Sequence, residues 1–457
     1  MAGRRFFSFL LLASLLLAGL PLSAAAGEKI EFWTMSLKPK FIPYFQALVA
    51  RYQAQNPGVT VEWVDFPWDI LQLKLITAIA AGTPPSLVNL SVPWAEELAR
   101  DGLLEPVDHW LALPSQSLST SDRSDLAPVY TKGALDDLRF QGHLYGFPHY
   151  SNVNVIAYNR SILAAAGIAQ APQNMDQLLA DARLIYAKTG KAGYAPALGK
   201  IDGFMMQQGL PIISNGKAVF NSAAHIALVK KLADTYRANG FLKDKLFAED
   251  NFPAVIDAYL GGRLGMMVSA PTALRRIQSD AKDVYAQTDI FPAPPGPTGI
   301  ADGGWMFHFA IPKGTSPQSL PAIAKFARFL TNDENQLAFA RLANVMPTTV
   351  KALADPRLQS SAQGIAVASS FANTAAGAAE KAQAVAASAM NNSRSLYVAG
   401  VTDYDELRRF LVKAVEEGVT GKKDIRLALD EAVAIWNKKL NKTMPNNMAN
   451  TVTGQVR

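Results

Sequence analysis

Residues 139–160 read RFQGHLYGFPHYSNVNVIAYNR, and this stretch decides the fold. A short strand over 142–147 is expected to stop at Pro148, which lacks a ladder donor, just after Gly146 has permitted unusual backbone angles. A second strand resumes over 153–158, closes at Asn159 and Arg160, and leads into the helix SILAAAG (161–167). A chain that ends one strand at a proline and at once begins another is placed to leave one sheet and enter a second. The corner residues Tyr145, His149, Tyr150, Ser151, Asn152 and Asn154 then lie between two bodies, and a binding cleft is expected there.

Upstream of that corner the chain alternates strand and helix. KIEFWTM (29–35) is an apolar run of strand length, rich in β-branched and aromatic residues. A helix follows with Phe41, Phe45, Leu48, Val49 and Tyr52 on one face and Pro43 in its first turn, where a missing N–H costs little. VTVEWVD (59–65) alternates as a second strand, and SLVNL (86–90) makes a third after the helix LQLKLITAIAAG (71–82). Short links between such elements predict a parallel α/β sheet. Ligands meet such sheets at the carboxyl ends of the strands, so the loops holding Ser36, Trp68 with Asp69, and Ser91 with Trp94 matter most.

Downstream, a second α/β region is expected from 151, with helices near 174–189, 222–239 and 253–260 and strands near 211–219, 263–268 and 283–291. Pro292, Pro294, Pro295 and Pro297 with Gly296 and Gly299 form the strongest loop signal in the chain. It ends at GGWMFHFAIPKG (303–314), ahead of helices over 317–330 and 333–342. Residues 362–390 are alanine-rich without a clean apolar stripe. Ile425, Leu429, Ala432, Trp436 and Leu440 mark an amphipathic helix, and the tail from Thr443 is polar.

At 457 residues the chain exceeds what one hydrophobic core serves, and two or more domains follow. Arg4 and Arg5, the apolar run 6–20 and Ala24, Ala25 and Ala26 form a signal peptide over 1–26, cleaved after Ala26. There is no cysteine, hence no disulfide framework, thiolate zinc site, cysteine nucleophile or lipid-anchored form. The expected product is soluble and periplasmic. The formal charge is +6, and removing Arg4 and Arg5 leaves 6 − 2 = +4 on the mature chain. That mild charge, with no block of like residues, sets nucleic acid aside as a partner.

The pattern F-x-G-x-L-Y-G-F-P-x-Y-x-x-V-x-x-I-x-Y-N over 140–159 resembles the first hinge crossing of extracellular solute-binding proteins of the sugar-transporter type, relatives of maltose-binding protein. EFWTM (31–35), K-L-x-T-A-I-A-A-G-T-P-P (74–85) and LARDGLLEPVD (98–108) are similar to that family's N-terminal lobe, and 303–314 to its second crossing. The resemblance implies an α/β, two-lobed periplasmic binding protein (type II-like) with three hinge crossings, the third at Thr331, Asn332 and Asp333. It places residues 27–150 plus about 306–332 in the N-terminal lobe and 151–305 plus about 333–457 in the C-terminal lobe. It further implies a monomer without cofactor, metal or catalytic residues, which closes on its ligand and delivers it to the permease subunits of an ABC importer. MVSAP (267–271) resembles the family's strand-to-helix turn that offers backbone to ligand. The sequence departs from the family at Ser86, where an aspartate is usual, and at Thr272, where malto-oligosaccharide members carry tryptophan. The second departure argues against a long maltodextrin.

Enzyme motifs are missing: there is no G-x-S-x-G, H-E-x-x-H, Walker loop or G-x-G-x-x-G. His143 and His149 do not have metal-ligand spacing. A carboxylate pair for glycoside hydrolysis can come from anywhere in a fold, so a secreted carbohydrate-active enzyme remains an alternative. Aromatic rings can cover the C–H face of a sugar while neighbouring polar groups bind its hydroxyls. Trp68, Trp94, Tyr150 and Trp305 fall in expected cleft loops beside Asp69, Ser91, Asn152 and His308; Trp33 and Trp436 read as core. Ser36, His149, Gly303 and Gly304 complete the first-lobe and crossing candidates, and Asp202 and Pro271, with Gln207 and Thr272, those of the second lobe. The first-lobe loops hold Ser36, Asp69 and Ser91 with Lys38 the only nearby base, so a neutral carbohydrate (sugar, glycoside or polyol) is expected and a glycerol-phosphate ester is the runner-up.

Overall fold

The computed structural model describes residues 28–108, 126–302, 305–359, 377–398, 401 and 404–443. The expected signal peptide, Gly303, Gly304, most of the alanine-rich run and the tail lie outside these residues, and of Trp68 and Asp69 only the backbone is described.

The elements that position the site are, in chain order, β1 (Glu28–Met35), α1 (Ile42–Gln55), β2 (Val59–Phe66), α2 (Trp68–Ala80), β3 (Leu87–Ser91), α3 (Val92–Arg100), α4 (Lys132–Asp137), β4 (Phe147–Ser151) and β5 (Val155–Asn159). They continue with β6 (Ala192–Ala195), α5 (Ile201–Gln207), β7 (Leu264–Ser269), α6 (Pro271–Asp280), β8 (Thr288–Pro292) and β9 (Met306–Pro312). Last come α7 (Asp333–Ala343), β10 (Met346–Pro347), α8 (Ala378–Ala389), α9 (Tyr404–Thr420) and α10 (Ile425–Thr443).

Two sheets define two lobes. The first runs β10-β4-β9-β3-β1-β2, with Leu104–Glu105 paired to the far end of β9. Its β1, β2 and β3 are parallel, while β9, β4 and β10 run antiparallel to their neighbours. The second runs β8-β5-β7-β6. Helix α1 lays Phe45, Leu48 and Tyr52 on the first sheet, the 3.6-residue stripe read from sequence. Trp436 is fully buried in the second lobe, its indole N–H donating to the Leu407 carbonyl at 2.7 Å.

The chain passes between the sheets where β4 ends and β5 begins, at 152–154. The strand does not stop at Pro148, as expected; it runs through the proline to Ser151. The register slips there: Phe307 pairs with Tyr150 and His308 with Pro148, so His149 is an extra residue in a β-bulge. A bulge is one of the few places where a sheet tolerates a proline. The preceding residues form their own small hairpin, Arg139–Phe140 with His143–Leu144, turned by Gln141 and Gly142 at positive φ. Asn159 caps the helix after β5, its side-chain oxygen accepting from the Ile162 N–H at 3.1 Å.

The expected third crossing at 331–333 is also corrected. Asn332 is a helix N-cap, accepting from Asn335 N–H at 2.8 Å, and the chain stays in the first lobe beyond it. Leu337, Phe339, Val345, Met346, Leu353 and Leu358 belong to the first core, and β10 pairs with β4. Helix α8 lies across both lobes. Its Ala379, Ala382 and Val385 pack on the second lobe, and its Ala386, Ala387 and Met390 on the first. Small side chains let this helix lie close to both bodies, and a buried Lys381–Asp289 pair at 2.9 Å fixes it to β8. The expected strand at 211–219 is a hairpin of two short strands, Ile213–Ser214 and Lys217–Ala218, and that at 283–291 begins as a short helix, Lys282–Gln287.

Candidate functional site

The first-lobe wall is built from strand ends. After β1 the chain turns at Ser36, exposed and at φ 51, and the Asp65 carboxylate holds the turn. It accepts from Thr34 Oγ1 at 2.6 Å, from Leu37 N–H at 3.1 Å and from Lys38 N–H at 3.0 Å. Trp68 and Asp69 open α2 directly after Pro67 rather than lying in a loop. Ser91 ends β3 at the N-cap position of α3, and Trp94 stands in the first turn, half-buried against the first core.

At the crossing, Asn152 N–H donates to the Trp305 carbonyl at 3.2 Å, and Ser151 Oγ reaches the same oxygen at 3.4 Å. The Asn152 amide is fully buried with neither its oxygen nor its nitrogen partnered. Trp305 is 37% exposed, its ring edge-on to Tyr150 at 5.9 Å and to Phe307 at 5.2 Å. Tyr150 is 8% exposed, so it braces Trp305 rather than presenting its own face.

Both site histidines are turned into the lobe. The bulge puts the His149 ring among Tyr150, Phe309 and Phe339, at 4.9, 5.0 and 5.1 Å. His308 lies under Gly146, where a Cβ would clash with its ring; close approach, more than turning, requires that glycine. Burial pushes each imidazole down to about 3, so both are neutral.

On the second-lobe side, Asp202 sits in the first turn of α5 and is buried. One carboxylate oxygen accepts from the Tyr404 hydroxyl and the other has no partner. Burial raises its pKa against the opposing pull of Tyr404 and Arg408. Asp202 therefore reaches the cleft only through Tyr404. The Pro271 carbonyl, expected to face ligand, accepts from Asn344 Nδ2 at 2.6 Å across the lobes. Gln207 braces the proline-rich loop, donating to the Ile300 carbonyl at 3.4 Å.

Between the walls lies a pocket of about 710 Å³. Ser91, Trp94, Glu97 and Arg100 line it from the first lobe, and Lys200, Glu249, Tyr404 and Arg408 from the second. The Arg408 guanidinium bridges Glu249 at 2.6 Å and Asp405 at 3.1 Å, and Gln72 donates to Glu97 at 3.2 Å. Of the expected site residues, Ser91 and Trp94 line this pocket and Asp202 stands behind it. Trp305 and Asn152 lie at the crossing. Sequence reasoning misses Tyr397, Tyr404 and Arg408. Tyr404 and Arg408 are four residues apart at the head of an amphipathic helix, which puts them on one face but does not say what that face meets.

A two-lobed fold with an interlobe pocket is that of a solute receptor. The family model for bacterial extracellular solute-binding proteins matches residues 38–337, and the chain belongs to that family. It is thus a solute-binding protein of an ABC transporter, a transport receptor and not an enzyme. A binding protein of Brucella abortus (strain 2308) is 27% identical over 311 residues, 65% of this chain and 72% of that one. The diacetylchitobiose binding protein of Streptomyces coelicolor is 23% identical over 333 residues, 70% of this chain and 73% of its own. Among solved structures, a protein of Synechococcus sp. MITs9220 superposes with a TM-score of 0.75 at 26% identity, covering 91% of this chain and 100% of that one. The sugar-binding protein MalE of Xanthomonas citri gives 0.71 at 21%, covering 91% and 98%. Among the described residues no helix is long and apolar enough to cross a membrane.

Proposed function

We propose that the interlobe pocket takes a neutral carbohydrate, held by closure of the two lobes about the crossings and passed to the permease subunits of an ABC importer. The observation that carries this is the pocket's chemistry. Aromatic rings reach it from the first-lobe wall (Trp94) and from the chain beyond α8 (Tyr397, Tyr404), among side chains able to hydrogen-bond hydroxyls. Its charges nearly cancel. Glu96, Glu97, Glu249, Asp405 and Glu406 stand against Arg100, Lys200, Arg408 and Arg409, so 4 − 5 = −1. A phosphate ester would want converging positive charge, which this lining does not concentrate. The named sugar specificities of the relatives support the same reading, as does the exposed Trp305 ring at the crossing. The protein works as a periplasmic monomer whose open–closed population the ligand shifts.

A thermal-shift screen across sugars, glycosides, polyols and phosphodiesters tests it. A true ligand at about 100 times its dissociation constant stabilises by about 2.7 kcal/mol. Trp305→Ala should then weaken that ligand more than about tenfold, about 1.4 kcal/mol, with native circular dichroism. Stabilisation by phosphate esters and by no sugar would replace this reading with the ester.

A further inference from the structure

The carboxyl edge of the first sheet presents its expected site residues in a row. Strand β9 runs against β3 with Phe307 opposite Ser91, so Trp305, two residues before Phe307, stands just past the end of β3. On the other side of β9, Met306 lies opposite Ser151, the last residue of β4, and Asn152 follows. Strand β1 pairs with β3 through Trp33 and Val88, which brings the exposed Ser36 level with Ser91, and β2 ends at Phe66 opposite Met35. In strand order the edge therefore carries Asn152, Trp305, Ser91, Ser36 and the backbone of Trp68. Neighbouring strands lie about 4.8 Å apart, so the three steps from β9 to β2 make a floor of about 14 Å. A single pyranose ring is shorter than that floor.

Two tryptophans stand at separate places along it. Trp94 lines the pocket beside Ser91, whereas Trp305 is not part of that lining. Among the described residues, Trp305 is the one aromatic among the large apolar side chains left exposed. Its ring is nonetheless held, edge-on to the rings of Tyr150 and Phe307, and Tyr150 in turn stacks on Phe307 at 5.2 Å. Beside it the Asn152 amide is buried with neither its oxygen nor its nitrogen partnered. A buried amide open at both ends needs partners that the protein does not supply. An exposed flat ring fixed in place can cover the C–H face of a sugar, and an amide offers an acceptor and two donors to hydroxyls.

We propose that Trp305, with Asn152 beside it, forms a second sugar subsite distinct from the pocket at Trp94, and that Trp305 thereby selects for ligand length. The ligand is then an oligosaccharide of two or more rings laid across the strand ends, one ring in the pocket and the next against Trp305. This rests on the carbohydrate reading above and narrows it. A monosaccharide held in the pocket leaves Trp305 bare and gains nothing from it. The gain belongs to the second ring, so loss of the indole should fall on longer ligands and spare the single ring.

The test is calorimetric titration of the full protein with three series: glucose, maltose and maltotriose; glucose, cellobiose and cellotriose; and N-acetylglucosamine with its β-linked dimer and trimer. In the series that binds, the dimer or trimer should bind at least about tenfold tighter than the monosaccharide. Trp305→Ala should remove most of that gain, weakening the longer sugars about tenfold and leaving the monosaccharide within about twofold, with native circular dichroism. Trp305→Phe should keep most of the gain, and Trp94→Ala should weaken every length. A monosaccharide that binds as tightly as its dimer and trimer overturns the proposal and leaves the carbohydrate reading standing. So does a Trp305→Ala loss equal at all lengths, which would make the tryptophan part of the first subsite or of the fold. No binding by any series at any length overturns the carbohydrate reading, and the second subsite with it.

Discussion

The two walls of the pocket are made differently. The first-lobe wall is backbone: the end of β3 and the first turn of α3 fix where Ser91 and Trp94 stand. The second-lobe wall is side chain. Lys200, Glu249, Tyr404 and Arg408 come from three segments that meet only in the fold, and Asp202 and the Arg408 bridges hold them. A wall of the first kind should lose affinity when a ring is cut away and keep its fold. A wall of the second kind should lose stability and affinity together.

The largest effect is expected where the second lobe holds the bridging helix. The Lys381 and Asp289 side chains are 9% and 7% exposed, so Lys381→Ala leaves a buried carboxylate without its counter-charge. A loss of about 3–5 kcal/mol in urea unfolding is expected, and Lys381→Met with Asp289→Leu should recover most of it. A loss under about 1 kcal/mol would mean that α8 is held by its alanine packing alone.

Tyr404→Phe comes next and puts the comparison itself at risk. It removes the hydroxyl that donates to Asp202, whose other oxygen already lacks a partner. Losing a hydrogen bond to a buried charged group should cost about 1.5–3 kcal/mol at neutral pH. Because burial already raises the Asp202 pKa, the cost should shrink as the pH falls and the carboxyl takes its proton. Trp305→Ala, at the crossing, should show no such loss of stability. If Tyr404→Phe changes affinity alone, the two walls do not differ in the way described.

The same contrast governs what the sequence tells. The parallel part of the first sheet is legible because each strand and helix carries its own period, and strand ends locate Ser91 and Trp94. The first crossing is legible within a few residues, from Pro148 and the apolar run that follows. What is not legible depends on pairing at long range. The bulge that turns His149 inward exists only because β9 lies alongside β4, more than 150 residues later in the chain. The role of α8 escapes for a related reason: an alanine-rich segment without a stripe gives no sign that it packs on two bodies at once. Asn332 and Asp333 mark a helix start equally well inside a lobe or between lobes.

The smallest expected effect concerns charge, and it bears on both walls together. Nine charged residues line the pocket, yet several neutralise one another before any ligand arrives: Arg408 engages Glu249 and Asp405, and Lys439 engages Glu406. A neutral ligand adds no net charge to this arrangement, so salt should barely alter its binding. Affinity should change less than about threefold between low ionic strength and about 0.5 M salt, where the Debye length falls well below about 8 Å. A steep fall in affinity with salt would mean that the ligand is anionic and that Lys200 and Arg409, which make no ion pair among the described residues, are its anchors. The second wall would then set the ligand class, and the aromatic rings of the first would serve to orient it.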